Sequence, residues 1–169
     1  CRLWPESLLA YGPPLPDGFY YDIYLEHPIS SDDFPRIELE IQAIIDEDRP
    51  FSRYELVAAE GMAKLKAEGN KYKIDNAQRA LEGGASSLSW YVNGQVGGEP
   101  GSPGPEPERF EDLCMGPHIP STGAIGACKV MSVATSHWRG NVNSDRFQRV
   151  YGAAYFTKAG NCGEQSLAI

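Results

Sequence analysis

A carboxylate, a thiol and an imidazole lie within seven residues of this chain, in the run Asp112-Leu113-Cys114-Met115-Gly116-Pro117-His118. A continuous helix through this run is disfavoured, because Gly116 is conformationally loose and Pro117 has no N–H to donate. We therefore predict that the three polar side chains leave a strand and pass around a tight turn. Such an arrangement is more typical of a functional site than of a hydrophobic core.

Cys114 and His118 stand four residues apart, a spacing found both in pairs of metal ligands and in general-base sites. Zinc normally takes at least three protein ligands, and the other histidines, His27 and His137, lie in unrelated segments. A buried thiol beside a hydrogen-bonded imidazole is the alternative, and it needs no metal. From the residues alone both interpretations stay open.

Asp112 precedes Cys114 by two residues, so on a strand both side chains point to the same face. A carboxylate there could hold the ammonium group of a substrate, but it could equally pair with Arg109 or bind nearby backbone. Lys73 ends a polar stretch, where a solvent-exposed surface charge is the simpler interpretation.

Arginines alternate with aromatic residues and glycine near the end of the chain, in Trp138-Arg139-Gly140 and in Arg146-Phe147-Gln148-Arg149. This mixture suits a surface that approaches phosphates and stacks on bases. A strand edge with solvated arginines is the alternative.

The net charge of the chain, −8, is unevenly distributed, since residues 1–113 carry −11 and residues 114–169 carry +3. The positive part could face an anionic partner, or the negative part could simply be a solvated acidic helix.

Apolar spacing and turn residues define the elements that must position these side chains. Apolar residues recur at three- and four-residue steps in 32–48, which predicts a helix with one apolar stripe, and a second helix is predicted at 58–68. Strands are predicted at 19–25, 51–56, 71–74, 87–92, 127–134 and 148–156, with Asn93-Gly94 as the turn that ends the fourth. We therefore predict an α+β fold in which an antiparallel sheet packs against a long helix.

The length of 169 residues suits one compact domain with a modest insertion. The insertion is predicted to be flexible and is placed at 95–109, where glycine, proline and glutamate dominate. Residues 159–169 show no usable pattern and are left unassigned. No apolar run approaches the ~20 residues of a membrane span. The N-terminus lacks the anatomy of a signal peptide, so we expect a cytoplasmic location and no membrane partner.

Three separated motifs, in order, resemble the editing domain of threonyl-tRNA synthetases, which alanyl-tRNA synthetases share as the "second additional domain". They are Gly12-Pro13-Pro14 with Asp17-Gly18-Phe19-Tyr20-Tyr21-Asp22, the run 112–118, and Trp138-Arg139-Gly140-Asn141 with Gln148-Arg149-Val150-Tyr151-Gly152. We assign this editing domain to residues 1–158. The resemblance implies the common editing-domain fold of the threonyl and alanyl enzymes.

The resemblance implies a proofreading hydrolase. A threonine enzyme cannot fully exclude serine, because one methyl group is worth only about 1–3 kcal/mol of discrimination. The family's editing domain receives the 3′ end of mischarged tRNA(Thr) and hydrolyses the seryl ester. In the longer enzyme, which the resemblance implies is a homodimer, ATP and zinc serve the synthetase core. No cofactor is expected in this segment, with zinc at Cys114 and His118 as an open alternative by analogy with alanyl-type sites.

The resemblance also implies residue roles. Asp112 would hold the serine ammonium group, and His118 would orient or activate water. Lys73 would hold the terminal ribose or offset charge that develops on the ester, while Cys114 would line the pocket. The tRNA-binding residues implied by the third motif are Arg139, Arg146 and Arg149.

Two departures from the family pattern shape the functional expectation. The family carries a His-x-x-x-His pair upstream of the residues that match Cys1-Arg2-Leu3-Trp4-Pro5, and no class II synthetase motif is present in these 169 residues. We therefore expect a fragment of a threonine–tRNA ligase whose editing needs a longer chain. The alternatives are a non-catalytic tRNA-binding module and a free-standing trans-editing deacylase.

Overall fold

The computed structural model describes residues 1–94 and 109–156. The predicted insertion at 95–109 lies outside these residues except for Arg109, and so does the unassigned tail at 159–169. The described residues divide into two compact units. One comprises residues 1–48 and 122–156, here called the terminal unit, and the other comprises residues 49–121, here called the central unit.

Both units combine helices with antiparallel strands, so the predicted α+β class is confirmed. The helices are α1 (Phe34–Asp46), α2 (Ala58–Glu68) and α3 (Lys71–Glu82). The strands are β1 (Leu8–Tyr11), β2 (Pro14–Leu15), β3 (Gly18–Tyr24), β4 (Phe51–Val57), β5 (Ser87–Gly94), β6 (Arg109–Leu113), β7 (Ala127–His137) and β8 (Arg146–Tyr155). No helix formed by the described residues is long and apolar enough to cross a membrane.

The terminal unit holds a five-stranded antiparallel sheet in the order β1-β3-β8-β7, with β2 paired to β3. Ser30 begins the helical segment with a capping box, in which its side chain and that of Asp33 each bind the other's backbone N–H. The α1 helix then packs against β7, where Glu38 accepts hydrogen bonds from the Lys129 ammonium and the Val130 N–H. The predicted long helix against an antiparallel sheet is therefore found in this unit.

The central unit contains the sheet β4-β5-β6 and the helices α2 and α3. Its core is formed by Leu65 and Ala77 of the helices and by Leu88 and Trp90 of β5. Because side chains alternate along a strand, the residues between these on β5 belong to the other face of the sheet. That second face carries the candidate site.

Two local predictions were wrong. Residues 71–74 are not extended but form the first turn of α3, because Asn70 caps that helix by accepting hydrogen bonds from the N–H groups of Tyr72 and Lys73. The pair Asn93-Gly94 is not a turn but continues β5, where Asn93 lies opposite both Phe51 and Phe110.

Candidate functional site

The segment that follows β6 forms the predicted turn. The Cys114 N–H donates to the Ser89 carbonyl (3.0 Å) and the Ser89 hydroxyl donates to the Cys114 carbonyl (2.7 Å), so the chain stays attached to β5 beyond the strand. Gly116 has a φ of +72°, in the left-handed region that favours glycine, and the Gly116–Pro117 peptide bond is cis. A Cβ at position 116 would collide with the Tyr91 hydroxyl. This backbone brings Cys114 and His118 back towards each other.

The first turn of α3 delivers Lys73 to the end of β6. Lys73 is only 5% exposed, and its Nζ lies 2.7 Å from Oδ2 of Asp112 and 3.4 Å from the Leu113 carbonyl oxygen. A buried ammonium group requires a charged or polar partner. The structure therefore joins two of the predicted site residues in one ion pair, and it excludes the interpretation of Lys73 as a surface charge.

The other two predicted residues also contact each other. The Sγ of Cys114 lies 3.2 Å from Nε2 of His118, and the Gly116 N–H donates to the same sulfur at 3.3 Å. The alternative of a thiol beside a hydrogen-bonded imidazole is thus the arrangement observed. In the part of the chain that the structure describes, the buried Nδ1 of His118 has no hydrogen-bond partner.

Burial lowers the pKa of His118, and the Asp112 carboxylate opposes this by raising it. The burial effect is the larger, so the imidazole is held mostly neutral near pH 7. A neutral imidazole can accept a proton, as a general base must. The influence of Asp112 also links the Lys73–Asp112 pair electrostatically to the Cys114–His118 pair.

Two aromatic residues that sequence reasoning missed contact the imidazole. The Phe51 ring is nearly parallel to it, at 6° with 5.1 Å between centroids, and the Tyr91 ring is tilted by 60° at 4.2 Å. These rings come from β4 and β5, so nothing in the local spacing around His118 indicated them. Alternation along the two predicted strands was the available signal, because it places both residues on one face of the sheet.

The described residues of this cluster supply fewer ligands than a zinc ion normally takes. Among the described residues, no group of three or more His, Cys, Asp or Glu side chains is arranged to hold a metal. Cys114 and His118 supply only two ligands and contact each other, while Asp112 is paired with Lys73. Structural and catalytic zinc sites use at least three protein ligands.

The three arginines of the third motif belong to the terminal unit. Arg139 lies in the one-turn 3₁₀ helix Trp138–Gly140 with a φ of +55°, and Arg146 begins β8 opposite His137. Both are exposed. Arg149, by contrast, forms an ion pair with Asp22 of β3. Two of the three arginines are thus exposed to solvent, and the third forms an ion pair within the sheet.

Comparison with known proteins agrees with the resemblance seen in the motifs. A family model described as "Threonyl and Alanyl tRNA synthetase second additional domain" matches residues 101–151. Threonine–tRNA ligases of Clostridioides difficile and Desulforamulus reducens are each 38% identical, over 154 and 158 residues, and that of Acetivibrio thermocellus is 37% identical over 158 residues. These alignments cover 91%, 94% and 94% of this chain but only 22% of each relative. The chain is therefore similar to the threonyl- and alanyl-tRNA synthetase second additional domain over residues 101–151, and over most of its length to one segment of threonine–tRNA ligases.

Proposed function

We propose that this chain is the proofreading part of a threonine–tRNA ligase and that it hydrolyses the seryl ester of mischarged tRNA(Thr). The observation that carries the proposal is the meeting of two pairs at the end of β6, Lys73 with Asp112 and Cys114 with His118. Together they supply a carboxylate for an amine, a neutral imidazole for a water and a cation for developing negative charge. Hydrolysis of an aminoacyl ester requires these three functions.

Recognition of the amino acid is assigned to Asp112. Its carboxylate already accepts a hydrogen bond from Lys73 at Oδ2, and a carboxylate offers about four lone-pair sites in all. It can therefore accept from the ammonium group of a seryl ester without releasing Lys73. The charge-assisted bond would fix the α-amino group and, with it, the ester carbon.

Activation of water is assigned to His118. Burial keeps its imidazole neutral, and Nε2 is directed to the Cys114 side of the site. A water bound beside Cys114 would give its proton to Nε2 as its oxygen attacks the ester carbon. The bond to the ribose oxygen then breaks, and the proton passes to that leaving oxygen, which releases serine and tRNA.

Lys73 is assigned to the ribose and to the tetrahedral oxyanion. Its ammonium group is held at the end of β6 by Asp112 and the Leu113 carbonyl. A fixed cation in a buried environment stabilises negative charge that appears only during the reaction. Cys114 contributes the wall of the site, and the exposed Arg139 and Arg146 contribute cations for the tRNA backbone.

The remaining expectations belong to the longer protein. We propose that the domain spans residues 1–158 and that its partner is the 3′ end of tRNA(Thr). ATP-dependent aminoacylation would be performed elsewhere in a homodimeric, cytoplasmic ligase.

The test compares hydrolysis of seryl-tRNA(Thr) and threonyl-tRNA(Thr). It is run with the 169-residue chain and with a threonine–tRNA ligase in which this chain replaces the aligned segment, so that the family's upstream His-x-x-x-His pair is present. We expect faster loss of serine than of threonine, and a loss of about 100-fold or more in rate for His118→Ala with tRNA affinity nearly unchanged. Serine release at the enzyme-free rate in both forms would reject the proposal. Salt-dependent tRNA binding without release would leave only a binding module.

A further inference from the structure

The imidazole of His118 is packed against two aromatic rings that no motif of the chain includes. Phe51 lies almost parallel to it and Tyr91 meets it at a tilt, with centroids 5.1 Å and 4.2 Å away. Contacts at these distances between aromatic rings are favourable beyond the apolar area that they bury, and they depend on the mutual orientation of the rings. The orientation of the imidazole is therefore set by two strands as well as by its own turn.

Strand register places these rings on the same face as the carboxylate of the site. Phe51 lies opposite Asn93 in the β4–β5 pair, and Tyr91 precedes Asn93 by two residues, so both side chains share a face. Tyr91 also lies opposite Asp112 in the β5–β6 pair. Side chains directly opposite in antiparallel strands are neighbours on one face. Tyr91 is thus next to both Asp112 and His118.

Tyr91 also limits the turn that carries His118. Its hydroxyl occupies the space where a Cβ of residue 116 would stand, which only a glycine leaves open. The ring therefore packs on the imidazole while its hydroxyl covers the backbone two residues earlier. One side chain consequently restrains both the ring and the loop that presents it.

We propose that Phe51 and Tyr91 are positioning residues for His118. Their two rings fix the orientation and the location of the imidazole, so that its Nε2 contacts the Cys114 thiol. The catalytic consequence rests on the proposed esterase function. A reacting group displaced by about 1 Å can lose roughly 100-fold in rate, and functional side chains need neighbours that lock their rotamers. Both rings contact the imidazole, and burial lowers the pKa of His118.

The kinetic test uses truncated and conservative variants of the ligase that carries this segment. We expect Phe51→Leu and Tyr91→Leu to lower kcat for seryl-tRNA(Thr) hydrolysis by about 10- to 100-fold while KM changes by less than about two-fold. Tyr91→Phe and Phe51→Tyr, which keep a ring, should recover kcat to within about three-fold of the parent. A rise in KM at unchanged kcat, or failure of both ring-retaining variants to recover, would overturn the proposal.

Leu56→Ala is the control for instability alone. Leu56 packs on the core cluster at the opposite face of the same sheet. Its truncation should lower the urea concentration at the midpoint of unfolding and leave kcat at the parent value below the unfolding transition. A drop in kcat as large as that of Tyr91→Leu would show that loss of stability, rather than loss of positioning, explains the effect.

A spectroscopic test separates this inference from the proposed function, because it needs no hydrolysis. In the chain with labelled histidine, ring currents from Phe51 and Tyr91 should shift the His118 ring-proton resonances. Each Leu substitution should move those resonances towards free-histidine values, while Leu56→Ala leaves them in place. Unmoved resonances in both Leu variants would refute the positioning role even if seryl-tRNA is hydrolysed. Moved resonances without any hydrolysis would support the packing and reject the esterase.

Discussion

Arg149 of β8 holds Asp22 of β3 through two parallel hydrogen bonds, from Nε to Oδ1 and from Nη2 to Oδ2, each 2.8 Å long. Asp22 is 8% exposed, and Ser136 of β7 donates a further hydrogen bond of 2.9 Å to Oδ1. The guanidinium carbon also lies 4.0 Å from the centroid of the Tyr20 ring. The hydrogen bonds to Asp22 raise the pKa of Arg149 above its usual value. One carboxylate therefore ties three neighbouring strands together, and a tRNA contact by Arg149 stays a prediction.

We expect Asp22→Ala to lower the free energy of unfolding by about 2–4 kcal/mol, because it leaves the guanidinium and the Ser136 hydroxyl without their acceptor. This loss is smaller than that expected for a fully buried ion pair, since Arg149 keeps some contact with water. Urea unfolding of the parent and of Asp22→Ala at neutral pH measures the difference in free energy. The matched control is Lys129→Ala, which breaks an exposed pair with Glu38 and should cost less than about 1 kcal/mol. An equal loss of unfolding free energy in both variants would mean that the Asp22–Arg149 pair contributes no more to stability than an exposed ion pair.

Arg139→Ala and Arg146→Ala should each weaken tRNA binding, and each should reduce the salt dependence of log K by about 0.7–0.9, the share of one phosphate contact. Titrations of tRNA between about 50 and 200 mM salt measure the slope. The control is Arg36→Ala, an exposed arginine on the acidic helix α1, which should leave the slope unchanged. If all three variants lose the same affinity, the effect is one of net charge and the two arginines form no specific contact.

The rate of seryl-tRNA hydrolysis should fall in acid, with a midpoint below pH 6.5. The reason is that burial lowers the pKa of His118 from its ordinary value of 6.5. The same shift affects stability. Unfolded histidine binds a proton more readily than folded His118, so this contribution to stability is complete above about pH 6.5 and is lost as the pH falls through the folded pKa. Unfolding of the parent and of His118→Gln is compared at neutral and acid pH, and the parent should lose more. Parallel losses would contradict the shifted pKa.

Asp112→Asn should abolish preference for the amino group of the substrate. The probe is a hydrolysis-resistant amide analogue of 3′-seryladenosine, compared with the same compound lacking the α-amino group. We expect the parent to favour the amine by about 10- to 100-fold, the worth of a charge-assisted hydrogen bond, and Asp112→Asn to bind the two compounds alike. Glu55→Gln is the control, a carboxylate of β4 that is exposed and pairs with Arg53. If Asp112→Asn still binds the amine-containing analogue more tightly than the analogue without the amine, Asp112 does not bind the substrate ammonium group.

The elements with clean periodicity were predictable, and α3 shows why one was not. The helix 58–68 was placed correctly because Gly69 ends α2 in a left-handed conformation. Asn70 was interpreted as part of the same stop signal, but its side chain caps the next helix at once. Tyr72 and Ile74 favour strands locally, yet Tyr72 is buried and Ile74 packs on the core cluster, so tertiary burial outweighed their preference.

Contacts in the site between residues that are close in sequence were predictable. Contacts between residues that are far apart in sequence were predictable only in part. Cys114 and His118 were paired from their spacing, and their contact is confirmed. The Lys73–Asp112 ion pair joins residues of α3 and β6. The family resemblance placed both residues in one pocket, but the ion pair itself was not predicted. Phe51 and Tyr91 reach the imidazole through strand register, which no motif encodes. Their roles in catalysis stay predictions.

Met115 lies between Cys114 and Gly116, and it is 85% exposed. Cys114 is constrained by its contact with the imidazole and Gly116 by the Tyr91 hydroxyl. The described residues, by contrast, leave most of the Met115 side chain open to solvent. This position is therefore the natural attachment point for an environment-sensitive dye. Under the proposed esterase function, a probe placed there stands beside the thiol and should report arrival of an aminoacylated tRNA end in real time.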